Sequence, residues 1–250
     1  MNKDNIIVSV VIPIKDEAAN IEPLAKELTA ILDLQPWSWE CIWVDDGSTD
    51  ESLVALDFIN REEPRHCYIS FDRHAGQSAA LWAGFQESTG AILATIDGDG
   101  QNDPSDIPRL VKMIRSGKWD MINGYRYKRH DTLVRKISSR IANTFKNWIT
   151  GKTVRDVGCS TRVFWRECVE SLPQYKGMHR FLPNFVAIRG YRITEVEVNH
   201  RPRQYGKTKY SINNRLWVGL IDTFGVLWLQ KRAFHYTINK KALKHSDGAG

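Results

Sequence analysis

The sequence predicts an α/β fold, a mostly parallel twisted sheet with helices on both faces. Three observations carry that prediction. Short β-branched runs alternate with segments whose apolar residues recur at helical spacing. Acidic and glycine-containing clusters follow several of those runs at their carboxyl ends. The chain has 250 residues, 42% hydrophobic and 26% charged, enough to bury a sizeable core and unlike a disordered or collagen-like polymer.

The elements follow in order. Ile6–Ile14 is a near-continuous β-branched run and reads as a buried strand. Ile21, Leu24, Ala25, Leu28, Ile31 and Leu32 then recur on one helical face. Glu40–Val44 is a second strand and ends in Asp45-Asp46-Gly47-Ser48. Thr49 or Asp50 caps a helix carrying Leu53, Leu56 and Ile59. Cys67–Phe71 is a third strand, Gln77–Glu87 a helix, and Ala91–Ile96 a fourth strand running into Asp97-Gly98-Asp99-Gly100-Gln101. Asp103-Pro104 starts a helix with proline in its first turn, and Met121–Tyr125 is a fifth strand. Right-handed crossovers follow from this alternation.

Beyond about residue 130 the pattern changes. Val134–Ile149 reads as a basic amphipathic helix and Arg192–Val198 as a strand. Leu216–Leu229 is apolar but interrupted by Gly219, Asp222 and Gly225, and the tail from Lys240 is polar. Charge divides at about residue 100. Residues 1–100 hold 6 basic and 18 acidic side chains, a net of −12, whereas residues 101–250 hold 29 and 11, a net of +18. A basic C-terminal portion calls for an anionic partner: phosphate, nucleic acid or an acidic membrane surface. Nucleic acid fits poorly, because no recognition helix or RNA-binding motif is visible and acidic strand ends repel a phosphate backbone.

Cys41, Cys67, Cys159 and Cys168 show no CxxC spacing, so neither a zinc site nor a disulfide framework is expected, and reduced thiols suit a cytosolic setting. A polar N-terminus predicts no secretory signal, and no apolar run reaches the ~18 residues of a transmembrane helix.

In an open parallel sheet, ligands bind beyond the carboxyl ends of the strands. Three acidic clusters are expected there: Lys15-Asp16-Glu17, Asp45-Asp46 and Asp97-Gly98-Asp99. Uncompensated, they repel one another, and a divalent cation is the simplest relief. Asp97 and Asp99 point to one side of extended backbone. With the Gln101 amide they suit Mg2+ or Mn2+, hard ions that share coordination with substrate phosphates.

These residues also resemble a family. Pro13-Ile14-Lys15-Asp16-Glu17, Val44-Asp45-Asp46-Gly47-Ser48-Thr49-Asp50 and Asp97-Gly98-Asp99 are similar to inverting family 2 glycosyltransferases of the GT-A fold. Asn123-Gly124-Tyr125-Arg126, Arg135 to Asn143, Asp156 to Arg162 and His200 to Tyr210 resemble the polyprenyl-phosphate branch, which includes dolichol-phosphate mannose synthases. The resemblance implies that Pro13, Glu17 and Asp46 hold the donor's base and ribose, and that Asp97, Asp99 and Gln101 hold the metal. It implies that Arg126 lies near the sugar or diphosphate, and that Arg135 and Ser139 take the acceptor phosphate. Asp156 would line the acceptor side, and Arg203, Lys207 and Lys209 would close over the diphosphate. Catalytic roles fall to Asp99, Asp156 and Arg126.

The implied organisation is a catalytic domain over residues 1–210, an amphipathic membrane-interface segment over 211–235 and a polar tail over 236–250. In that reading the enzyme is peripheral on the cytoplasmic face of a membrane. Trp217, Phe224 and Trp228 with Arg215, Lys231 and Arg232 suit a helix lying among lipid headgroups. A core helix, or a contact between copies in a homo-oligomer, is the other reading of that segment. Lys15 and Asp16 depart from the family pattern, so UDP- and GDP-sugars both stay open as donors. A saccharide hydroxyl is the alternative acceptor, and it would need a positioned general base. Arg162 and Arg166 either pair with acidic neighbours or touch substrate.

Overall fold

The computed structural model describes residues 7–126, 154–156, 158–170, 172–203, 225 and 228. Strand β1 (Val8–Ile14) is followed by α1 (Ala18–Leu32), β2 (Trp39–Asp45), α2 (Ser52–Glu62) and β3 (His66–Ser70). Next come α3 (Gln77–Glu87), β4 (Ile92–Thr95), α4 (Asp106–Arg115) and β5 (Met121–Tyr125). The described chain resumes before β6 (Arg162–Trp165), α5 (Leu182–Ile188) and β7 (Ile193–Glu197).

The seven strands form one sheet in the order β3-β2-β1-β4-β6-β5-β7. All neighbours are parallel except β6, which runs antiparallel to both β4 and β5. Val8, Val10, Val11 and Ile12 are all fully buried. Successive strand residues point to opposite faces, so both faces of β1 are covered, as a parallel α/β sheet requires. Helix α3 lies against β1 and β2, and α4 against β5 and β6.

Two helix starts differ from expectation. Helix α2 begins at Ser52 after Glu51, and the Asp50 carboxylate instead takes the Ser52 N–H and hydroxyl at 3.0 and 2.5 Å. Helix α4 begins at Asp106, because Asp103 closes its own turn by accepting from Ser105 N–H and Oγ. Strand β6, helix α5 and the 3-10 turns Arg166–Cys168 and Met178–Arg180 were not anticipated.

The carboxyl ends of β1, β2, β4, β5 and β7 all lie along one edge of the sheet. An antiparallel strand brings its amino end to that same edge. Residues leading into β6 therefore arrive at the site, Asp156 against Arg126 and Ser160 against Asp97. The expected basic helix 134–149, the 216–229 segment apart from Gly225 and Trp228, and the polar tail lie outside the described residues.

Candidate active site

The first two acidic loops are laced together. Asp16 has φ +47°, unusual for a non-glycine residue. Its N–H donates to Ser48 Oγ at 2.7 Å, and its carboxylate accepts from the N–H and hydroxyl of Thr49 at 2.6 and 3.1 Å. Asp45 accepts from Ser48 N–H and Ser70 Oγ. Asp46 is 4% exposed and accepts from the N–H groups of Ala75 and Gly76, with His74 Nδ1 2.7 Å away. The carboxylate thus stands at the N-terminus of α3, where the helix field favours a negative charge. The expected repulsion between clusters is therefore met by N–H groups and hydroxyls at Asp16, Asp45 and Asp46.

Asp97 and Asp99 differ. Gln77, the first residue of α3, donates its Nε2 to Asp97 Oδ1 at 2.8 Å. Burial, then the charge of Asp99, raise the Asp97 carboxyl above its ordinary value. Asp99 accepts from Gln101 N–H at 3.1 Å and from the Arg203 guanidinium at 2.6 Å. Gln101 Nε2 donates to the Arg201 carbonyl at 3.3 Å. The loop is anchored by buried Asn102, whose Oδ1 accepts from Asp97 N–H and Ser160 Oγ and whose Nδ2 donates to Thr161 Oγ1.

Arg126, just after β5, grips Asp156 through two bonds, Nε to Oδ2 at 2.8 Å and Nη2 to Oδ1 at 3.0 Å. Burial is the largest single influence on Arg126 and works against its charge, but the Asp156 bond and the neighbouring negative charges of Asp156 and Asp97 together raise the guanidinium. Glu195 on β7 accepts from the N–H groups of Arg155 and Asp156 and so fixes this segment.

Pro13, Glu17, Asp46, Asp97, Asp99, Gln101, Arg126, Asp156 and Arg203 all fall along this edge of the sheet. Lys207, Lys209, Arg135 and Ser139 lie outside the described residues. Arg162 and Arg166 bind oxygens of the scaffold. Arg162 donates to Asn123 Oδ1 and the His179 carbonyl, and its charge is felt at Asp97. Arg166 donates to the carbonyls of Phe85, Ser88 and Gly90. Sequence reasoning missed Gln77 and Asn102 as supports of Asp97. Gln77 opens a helix and Asn102 follows Gln101, but neither position reveals which strand end its amide reaches.

The Asp97–Asp99–Gln101 loop carries donors of the kind that a hard divalent cation takes. Two carboxylates and an amide are oxygen donors. Among the described residues no three His, Cys, Asp or Glu side chains converge as a closed metal group. Such an open set suits an ion that completes its shell with substrate phosphates and water.

The crevice at this sheet edge is lined by carboxylates and rimmed by arginines. The chain matches the glycosyl transferase family 2 model over residues 9–172 and belongs to that family. It is 37% identical over 227 residues to a dodecaprenyl-phosphate galacturonate synthase of Rhizobium johnstonii, covering 89% of this chain and 67% of that protein. It is 37% identical over 207 residues to an undecaprenyl-phosphate 4-deoxy-4-formamido-L-arabinose transferase of Serratia proteamaculans, covering 82% of this chain and 63% of that protein. The match therefore spans about two thirds of those relatives. Glucosyl-3-phosphoglycerate synthase from Mycobacterium tuberculosis, solved with Mn2+, UDP-glucose and phosphoglyceric acid, superposes with a TM-score of 0.68 at 18% identity, over 90% of this chain and 79% of that one. The shared fold is GT-A. Among the described residues no helix is long and apolar enough to cross a membrane.

Proposed function

We propose that this chain is an inverting glycosyltransferase that moves a sugar from a UDP- or GDP-sugar to a polyprenyl phosphate at a membrane surface, with Mn2+ or Mg2+. The observation that carries the acceptor class is the Arg126–Asp156 pair. A saccharide hydroxyl needs a general base, and a carboxylate held on a guanidinium through both oxygens is a weakened one. Both Asp156 oxygens are engaged by one guanidinium. A phosphate acceptor is already ionised and needs no such base. The two prenyl-phosphate relatives support the same choice.

In this reading Glu17 and Pro13 line the donor's nucleoside end, and Asp46 acts there by holding the His74–Gly76 loop. Asp97, Asp99 and Gln101 would hold the metal, which neutralises the departing diphosphate when bound. Arg203, with Lys207 and Lys209, binds the diphosphate oxygens. Arg135 and Ser139, four residues apart, share a helix face if the 134–149 segment is helical, and bind the acceptor phosphate. Asp156 holds Arg126 rigid against the reacting groups, so that two anions are brought together on fixed positive charge. The acceptor oxygen attacks opposite the leaving diphosphate, and the anomeric centre inverts. Residues 211–235 rest on the headgroups; Trp228, helical and 59% exposed, suits that contact.

The test is a transfer assay with purified protein, Mn2+ or Mg2+, polyprenyl phosphate in detergent and a panel of UDP- and GDP-sugars, read by mass spectrometry. One metal-dependent glycolipid, lost in Asp99→Ala, is expected. Transfer to a saccharide but not to the lipid, abolished by Asp156→Asn, would establish the alternative acceptor.

A further inference from the structure

Glu17 and Asp99 follow adjacent parallel strands, β1 and β4, at the point where the strand order turns back on itself. One guanidinium nitrogen of Arg203 serves both, 2.6 Å from Asp99 Oδ2 and 3.6 Å from Glu17 Oε1. The three side chains are 15%, 11% and 23% exposed for Asp99, Glu17 and Arg203, so water screens the pair only partly. Glu17 is further fixed because its other oxygen accepts from Asn20 Nδ2 at 2.6 Å. The backbone before Arg203 is also tied to the loop, with Arg201 N–H donating to the Gln101 carbonyl at 2.8 Å. Arg203 thus stands between the carboxylate assigned to the metal and the carboxylate assigned to the donor.

We infer that Arg203 is an exchangeable cation that couples metal binding to donor binding. The inference rests on the proposed metal role of Asp99. A divalent ion arriving alone on Asp99 competes with the Arg203 bond and sets the guanidinium beside a second positive charge. An ion arriving with a diphosphate gives that guanidinium a new anionic partner with fork geometry. Asp99 passes from Arg203 to the metal, and Arg203 passes from Asp99 to the phosphates. Neither exchange is favourable without the other, so metal and nucleotide bind with positive cooperativity, and each raises the other's affinity by the same factor. The device discourages the site from holding metal without donor.

The experiment is Mn2+ binding followed by the electron-paramagnetic-resonance signal of free Mn2+, with and without UDP or GDP. Wild type, Arg203→Gln and Asp99→Asn are compared, with thermal melts to show that each is folded. In wild type, the better of the two nucleotides is expected to tighten Mn2+ binding by about tenfold or more, within the usual range of coupling between sites. In Arg203→Gln, Mn2+ without nucleotide should bind several-fold tighter, and the nucleotide effect should shrink. Arg203→Lys, which keeps a charge but loses the fork, should fall between. Unchanged or weaker Mn2+ binding in Arg203→Gln without nucleotide overturns the exchange while leaving the metal site standing. Mn2+ binding that survives Asp99→Asn undamaged, or is missing from wild type under every condition, overturns the metal assignment and the exchange with it.

Discussion

His66 shows how one side chain fixes both a tautomer and a pH dependence. It is 1% exposed at the start of β3. Trp43 Nε1 donates to its Nδ1 at 3.1 Å, so the proton sits on Nε2, which faces Thr29 Oγ1 at 2.9 Å. That hydroxyl in turn donates to the Ala25 carbonyl. Protonating Nδ1 would set two N–H groups against each other. Burial is the main cause, and the imidazole is pushed down from 6.5 to about 4. The unfolded chain then takes up a proton before the folded one does. Stability contributed here is full above pH 6.5, falls as pH drops toward 4, and levels off below, a loss of about 3 kcal/mol. Urea melts across this range should show that slope. His66→Asn, which keeps an acceptor for Trp43 and cannot titrate, should be flatter by most of that amount. Gly47 makes a second case at the same scale. Its φ is +64°, and a Cβ there would come within 2.6 Å of the Arg73 carbonyl carbon. Gly47→Ala should cost at least ~2 kcal/mol from left-handed backbone and steric overlap together. Because the displaced backbone leads into the loop gripped by Asp46, donor affinity should fall as well; an unchanged nucleotide affinity would separate that loop from the donor site.

At the scale of elements, α3 is held at both ends by charge. Asp46 faces its N-terminus, and Arg166 donates to the carbonyls of Phe85, Ser88 and Gly90 at 3.2, 2.6 and 2.8 Å at its C-terminus. Both charges have the sign that the helix field favours. Arg166→Ala should therefore cost ~3 kcal/mol, since charge-assisted bonds are lost and carbonyls are left poorly hydrated. A denaturant midpoint reads it. The first residue of α3 carries the Gln77–Asp97 bond, so a modest weakening of metal binding should accompany the loss. This helix was legible in the sequence over its whole length, as was β5. The five strands up to Tyr125 and the helices between them were legible to within a few residues, since apolar runs and helical faces alternate there. Strand β6 was not. It is four residues long and begins with Arg162, which is 3% exposed. A buried arginine satisfied by Asn123 and a carbonyl depends on tertiary partners that no local pattern announces. Helix α5 is seven residues with proline near its start, too short for a periodicity to declare itself. The site followed the same rule. Carboxylates at strand ends could be read from position, whereas Asn102 and Gln77 gained their places from contacts across the sheet edge.

For the whole molecule, the division of charge acquires a geometric meaning. The acidic first hundred residues build β1 to β4 and the carboxylate loops. The later, basic part returns to the same edge through Arg126, Arg201 and Arg203, and those arginines are largely taken up by acids: Asp156 for Arg126, Glu27 and Asp103 for Arg201, Asp99 for Arg203. Pairing within the site therefore consumes few of the 29 basic side chains that lie beyond residue 100. The proposed membrane attachment would draw on that surplus. Each Lys or Arg near an anionic surface contributes about 1 kcal/mol, and that contribution falls away beyond a Debye length. If the proposed peripheral attachment is mainly electrostatic, sedimentation with vesicles containing anionic lipid should drop by an order of magnitude or more between about 50 and about 500 mM salt, as the screening length shrinks several-fold. Vesicles of zwitterionic lipid alone should bind weakly at both. Binding that ignores salt and lipid charge would assign the attachment instead to apolar insertion, with Trp228 and its segment as the anchor, and Trp228→Ala should then release the protein where salt does not.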